Sequence, residues 1–123
     1  MIQRTLVSVV DDDESVRESL PDLLMVLGFA AQAFSSAEAF LASEYLPQTQ
    51  CLLLDVAMPG MTGPDLQREL TARRTAIPIV FITAHQEPGL RPRLIEQGAI
   101  DCLYKPFSDT ALRDAVYAAL RMA

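Results

Sequence analysis

The sequence predicts an α/β fold: a doubly wound, three-layer sandwich in which a five-stranded parallel sheet carries helices on both faces. Two observations point there. Five short apolar runs alternate with helical patterns along the chain, and one run, CLLLD (51–55), is apolar without a break, as expected of a strand buried on both faces in the middle of a parallel sheet. At 123 residues the chain has the length of one domain, and we take 1–123 as a single unit.

The elements follow in order. TLVSVV (5–10) reads as the first strand, and Val16, Leu20, Leu23, Leu24 and Leu27 then recur at helical spacing until Gly28 stops the pattern. Pro21 lies inside that pattern, where the missing N–H predicts a kink or an interruption. FAAQAF (29–34) is a weaker second strand. In SSAEAFLA (35–42), Ser35 and Glu38 match a capping box at a helix start. LPQTQ (46–50) and MPGMTGP (58–64) are loops within the domain.

CLLLD is the third strand, and its helix follows with Thr62 as candidate cap and Pro64 in the first turn. IPIVFIT (77–83) is the fourth strand and AIDCLY (99–104) the fifth. The helix between them ends at Gly98, with Pro92 marking a first turn after the loop HQEPGLR (85–91). The last helix runs from about Ser108 through Leu112, Ala115, Val116, Ala119 and Leu120.

Composition narrows the function. A net charge of −6 argues against this chain gripping a phosphate backbone directly, which takes a basic face. The longest membrane candidate, LLMVLGFAAQAF (23–34), is too short and is broken by Gly28 and Gln32; MIQRT lacks a signal-peptide core, so we expect a cytoplasmic protein with no membrane contact. Cys51 and Cys102 each lie in an apolar run, which fits reduced, buried thiols. The first strand-to-helix turn has no glycine-rich loop, so dinucleotide binding has no support.

In doubly wound sheets ligands bind beyond the carboxyl ends of the strands. Here those ends deliver Asp11, Asp12, Asp55, Thr83 and Lys105 to one rim. An aspartate after a strand often caps the next helix, which suits Asp13, with Asp12 as the other candidate. Caps do not explain three carboxylates, a hydroxyl and an ammonium on one edge. Crowded carboxylates repel unless a cation neutralises them, and oxygen-only ligands suit Mg²⁺. With the ion and Lys105 screening charge, a carboxylate can attack phosphorus; Asp55 is the choice, since it stands alone on the central strand while Asp11 and Asp12 form a paired ligand set.

VVDDD (9–13), LLLDVAMPGMTG (52–63), FITA (81–84) and YKPF (104–107), in this order and spacing, resemble the response-regulator receiver domains of bacterial two-component systems over essentially the whole chain. The resemblance implies a flavodoxin-like (βα)5 fold with strand order 2-1-3-4-5, and an Asp55 that takes a phosphoryl group from a phosphohistidine on a sensor histidine kinase or phosphotransfer protein. It implies Mg²⁺ bound by Asp12, Asp55 and the backbone carbonyl of Ala57, with Asp11 assisting largely through water. Thr83 and Lys105 match the hydroxyl and amine that contact the phosphoryl group, and the Lys105–Pro106 peptide resembles one that the family holds cis. Asp13 matches a variable position and keeps its reading as a cap.

FSSAEAFL (34–41) and KPFSDTAL (105–112) are similar to the FixJ-like subgroup, whose members usually carry a C-terminal helix-turn-helix; this chain stops at Ala123, as a stand-alone receiver or one without its output domain. Dimerisation through the fourth and fifth helices is common in the family. Three positions depart from the usual pattern. Cys102 stands where receivers carry an aromatic residue coupled to the hydroxyl, with Tyr104 sharing its strand parity. Pro21 and Pro92 alter the first and fourth helices. His85, two residues after Thr83, either orients water or hydrogen-bonds the phosphoryl group, or else lies exposed in its loop.

Two other readings compete. In a magnesium-dependent phosphatase of the haloacid-dehalogenase type, Asp11 is the nucleophile and Asp13 the acid; that reading leaves Asp55 without a role and finds Asp109 and Asp114 in a helical segment. In a degenerate receiver, the domain serves only as a docking surface.

Overall fold

In the computed structural model, which describes residues 4–122, five parallel strands and five helices alternate. The strands are β1 (Leu6–Val10), β2 (Ala30–Phe34), β3 (Cys51–Asp55), β4 (Ile79–Thr83) and β5 (Asp101–Tyr104). The helices are α1 (Glu14–Val26), α2 (Ala37–Leu41), α3 (Gly63–Ala72), α4 (Leu90–Glu96) and α5 (Asp109–Met122), and a 3-10 turn occupies Leu46–Gln48. The sheet order is β2-β1-β3-β4-β5, as expected. Val10 pairs with Leu54 and Asp55 with Ile82, so the carboxyl ends of β1, β3 and β4 finish at nearly the same height.

Side-chain alternation divides the core. Val7, Val9, Leu53, Val80 and Ile82 face α1 and α5, where Leu20, Leu24, Leu112 and Val116 cover them. Val10, Leu52, Leu54, Ile79, Phe81 and Cys102 face the other layer, met by Phe40, Leu66, Leu70, Leu90 and Leu94. Each fully buried leucine contributes about 1.5–3 kcal/mol through surface removed from water. β1, β3 and β4 are buried at every position, while edge strand β2 is half-buried throughout, which explains its weaker sequence signal. Ser8 interrupts the apolar run of β1 without penalty, because its hydroxyl lies 2.7 Å from Thr49 Oγ1, which in turn donates to the Tyr45 carbonyl.

Helix ends follow the capping chemistry with one correction. Asp13 caps α1, accepting from the Ser15 N–H at 2.9 Å, and Thr62 and Asp65 form a reciprocal capping box at the start of α3. The expected box of Ser35 with Glu38 does not form. Ser36 is the cap of α2, its hydroxyl accepting from Ala39 N–H at 3.0 Å, so Glu38 falls one position early and instead accepts from Met61 N–H at 3.3 Å.

Pro21 does not interrupt α1, since burial of Leu20 and Leu24 against the sheet holds both sides of the gap in the hydrogen-bond ladder. Pro92 lies in the first turn of α4, a helix of seven residues. Pro78, lacking an N–H, precedes rather than joins β4, although its carbonyl accepts from Leu52 N–H at 2.9 Å. The Lys105–Pro106 peptide is cis. Cys51 and Cys102 are free thiols, both buried. Among the described residues no helix is long and apolar enough to cross a membrane.

Candidate functional site

Every strand end named from the sequence reaches the same rim. Asp11 continues β1 far enough for its N–H to donate to Phe34 O at 3.1 Å, and its carboxylate then turns into the site, fully buried. Oδ1 accepts from Asp13 N–H at 2.9 Å and Oδ2 from Lys105 Nζ at 2.8 Å. Asp55 closes β3 and is 7% exposed; Asp12 is exposed. One oxygen from each of Asp11, Asp12 and Asp55 lies within 4.8 Å of the others.

Thr83 closes β4, 1% exposed, and its hydroxyl oxygen accepts from His85 N–H at 3.1 Å, leaving the O–H free to donate. Lys105 N–H donates to Thr83 O at 2.8 Å, so the backbone seats the lysine beside the threonine while its ammonium spans to Asp11. Ala57 is exposed in the loop after β3, which Gly63 N–H closes onto Val56 O at 3.1 Å. Among the described residues the Ala57 carbonyl accepts no hydrogen bond, so its oxygen is available as a ligand.

The charge balance is unequal. Three carboxylates meet one ammonium, and the carboxyl of Asp55 is pushed up from the ordinary 3.8 to about 7, first by burial and then by the charge on Asp11, with Lys105 pulling the other way. Such a cluster holds its charge only with a further cation. The donors are all oxygens, with no imidazole or thiolate among them, and Asp12 leaves one side open to water: this set fits a hard divalent ion and does not fit zinc or copper.

The geometry speaks against the phosphatase reading. Both oxygens of Asp11 are engaged by donors, which leaves it poorly placed as a nucleophile. Asp13, the acid in that reading, is taken up by Ser15, whose hydroxyl and backbone N–H hold its carboxyl below the usual range. Asp109 begins α5 as an exposed residue.

The departures from pattern are also visible. Cys102 is buried in the core layer under α3 and α4, opposite Phe81 in the β4–β5 ladder, while Tyr104 is half-buried beside Thr83. Burial pushes the Cys102 thiol up, with Asp101 adding to it, which makes it an inert core group. His85 is exposed in its loop and meets Thr83 through its backbone alone.

Two contributors escaped the sequence. A Cβ on Gly63 would sit 2.3 Å from the Asp55 carbonyl oxygen, so only glycine lets α3 start so close behind that residue. The available signal was a glycine between a cap and a helix-starting proline. Arg17 Nη1 donates to the Asp11 carbonyl at 3.1 Å, and nothing in the spacing marked it.

A family model described as "Response regulator receiver domain" matches residues 7–117. Nodulation protein W of Bradyrhizobium diazoefficiens is 45% identical over 116 residues, covering 94% of this chain and 51% of that protein. The crystal structure of FixJ-N superimposes with a TM-score of 0.87 at 37% identity, covering 99% of this chain and 98% of that one. Response regulator StyR gives a TM-score of 0.88 at 47% identity, covering 97% and 60%. The chain spans about half the length of the curated relatives it matches. Sheet order, rim chemistry and these likenesses agree, and the chain belongs to the receiver domains of two-component response regulators.

Proposed function

We propose that Asp55 is the phosphoacceptor of a magnesium-dependent receiver comprising residues 1–123. The observation that carries this reading is the meeting of Asp11, Asp12 and Asp55 oxygens within 4.8 Å of one another beside the Lys105 ammonium. Asp12, Asp55 and the Ala57 carbonyl would hold Mg²⁺, with Asp11 assisting through water. Bound there, the ion supplies positive charge to the phosphoryl oxygens and to the crowded acids.

An Asp55 carboxylate oxygen attacks phosphorus, the O–P bond forms, and the P–N bond to the donor imidazole breaks, leaving neutral histidine on the donor once it has taken a proton. Thr83 donates its free O–H to the transferred group, and Lys105 moves its ammonium from Asp11 toward the new charge. The donor is a sensor histidine kinase or phosphotransfer protein. Beyond self-phosphorylation and hydrolysis of its own acyl phosphate the domain has no enzymatic turnover.

The relatives named as transcriptional regulatory proteins support an output in transcription; we propose that it runs through a helix-turn-helix outside this segment, with a homodimer on phosphorylation and a cytoplasmic setting. Intact mass spectrometry after incubation with MgCl₂ and acetyl phosphate tests the chemistry. One added phosphoryl group is expected, absent with Asp55→Asn and absent with EDTA. An unchanged mass in the unaltered protein would leave only a docking module.

A further inference from the structure

Arg17 stands one turn into α1, between Glu14, Glu18 and Asp22 in sequence, yet among the described residues it forms no ion pair. Its half-buried side chain turns back instead, and Nη1 donates to the backbone carbonyl of Asp11 at 3.1 Å. That carbonyl lies just past the last β1–β3 register pair, Val10 with Leu54, where the ladder no longer supplies a donor. A guanidinium with five donors is thereby committed to one neutral oxygen at the edge of the acid cluster.

The consequence falls on Asp12. Asp11 is fixed at its N–H by Phe34 O, at Oδ1 by Asp13 N–H and at Oδ2 by Lys105. Among the described residues no donor fixes the carboxylate of Asp12, which is exposed. The one restraint on where that side chain starts is its backbone, whose preceding peptide plane carries the oxygen that Arg17 holds.

We infer that Arg17 is a positioning residue, which orients the Asp11–Asp12 peptide so that the Asp12 carboxylate faces Asp55 as a preformed divalent-cation ligand. This rests on the magnesium reading of the site. Arg17 touches neither the phosphoryl group nor the ion and acts through one backbone oxygen.

The test is a calorimetric titration of MgCl₂ into the unphosphorylated protein, alongside labelling by acetyl phosphate at increasing Mg²⁺. Arg17→Met keeps the apolar stem and removes every donor; it should weaken Mg²⁺ binding by about tenfold, the lower end of what lost ligand-orienting partners cost. Labelling should need correspondingly more Mg²⁺ while its rate at saturating ion stays near that of the unaltered protein. Arg17→Lys, which restores a donor, should recover part of the affinity. Unchanged Mg²⁺ affinity in Arg17→Met, or in Arg17→Ala as a second variant, overturns the inference even if the melting temperature drops. So does a lower saturating rate with unchanged Mg²⁺ dependence. If the unaltered protein binds no Mg²⁺ and is not labelled, the parent reading falls and this one with it; labelled protein with an indifferent Arg17 sinks this one alone.

Discussion

Gly63→Ala is the smallest change that should damage the site from behind. The added methyl would lie 2.3 Å from the Asp55 carbonyl oxygen, 3.2 Å from its carbonyl carbon and 3.0 Å from Phe81 Cε1. The first distance is roughly 1 Å short of an ordinary contact, and both neighbours are rigid, one being backbone and the other a fully buried ring. Overpacking of this kind costs about 1–3 kcal/mol. Alanine at the first helical position returns less than the roughly 1 kcal/mol that separates it from glycine within a helix.

A net loss of about 1–2 kcal/mol remains, which lowers Tm by about 4–8 °C for a domain of this size. The larger effect is on chemistry. Relief requires α3 and the end of β3 to separate by about 1 Å, which displaces the Asp55 carboxylate from Asp11, Asp12 and Lys105, and a misplacement of that size costs about 100-fold in rate. Differential scanning calorimetry and the initial rate of labelling by acetyl phosphate measure the two. A Gly63→Ala protein with unaltered Tm and rate would refute the close-approach reasoning.

Other substitutions probe separate parts of the site. Lys105→Ala strands the fully buried Asp11 without its partner, so the metal-free protein should lose about 3 kcal/mol by urea denaturation, and Mg²⁺ should restore part of it. Asp13→Ala removes a cap and not a ligand: Tm should fall slightly, while labelling at Asp55 persists because the Asp13 N–H that holds Asp11 is backbone. Asp55 binds its proton more tightly folded than unfolded, so its contribution to metal-free stability is full below pH about 4 and is lost as pH rises through about 7. Urea midpoints across that window in EDTA should show a downward contribution that Asp55→Asn abolishes. Thr62→Ala breaks the capping box of α3 and should cost about 1 kcal/mol.

The sequence was most legible where one physical constraint acts alone. Burial on both faces made CLLLD unmistakable and fixed its bounds, whereas FAAQAF, on a half-exposed edge, was weaker and began one residue late in the structure. Strand-end acids were readable because alternation of strands and helices forces their carboxyl ends to one rim. Contacts between elements were not. Ser35 and Glu38 satisfy the capping spacing as well as any pair, but the loop after β3 competes for Glu38 through Met61 N–H, and Ser36 takes the cap. Pro21 alone argues for a broken α1, and only the burial of Leu20 and Leu24 decides otherwise. The roles of Gly63 and Arg17 depend on distances between segments that no local pattern encodes.

The site of esterification can be read directly. Labelled protein, reduced with borohydride to convert an acyl phosphate to the alcohol and then digested, should carry the change at Asp55 alone. A modified Asp11, or label retained on His85, would contradict a pocket in which neighbouring acids gather a metal around one reactive carboxylate.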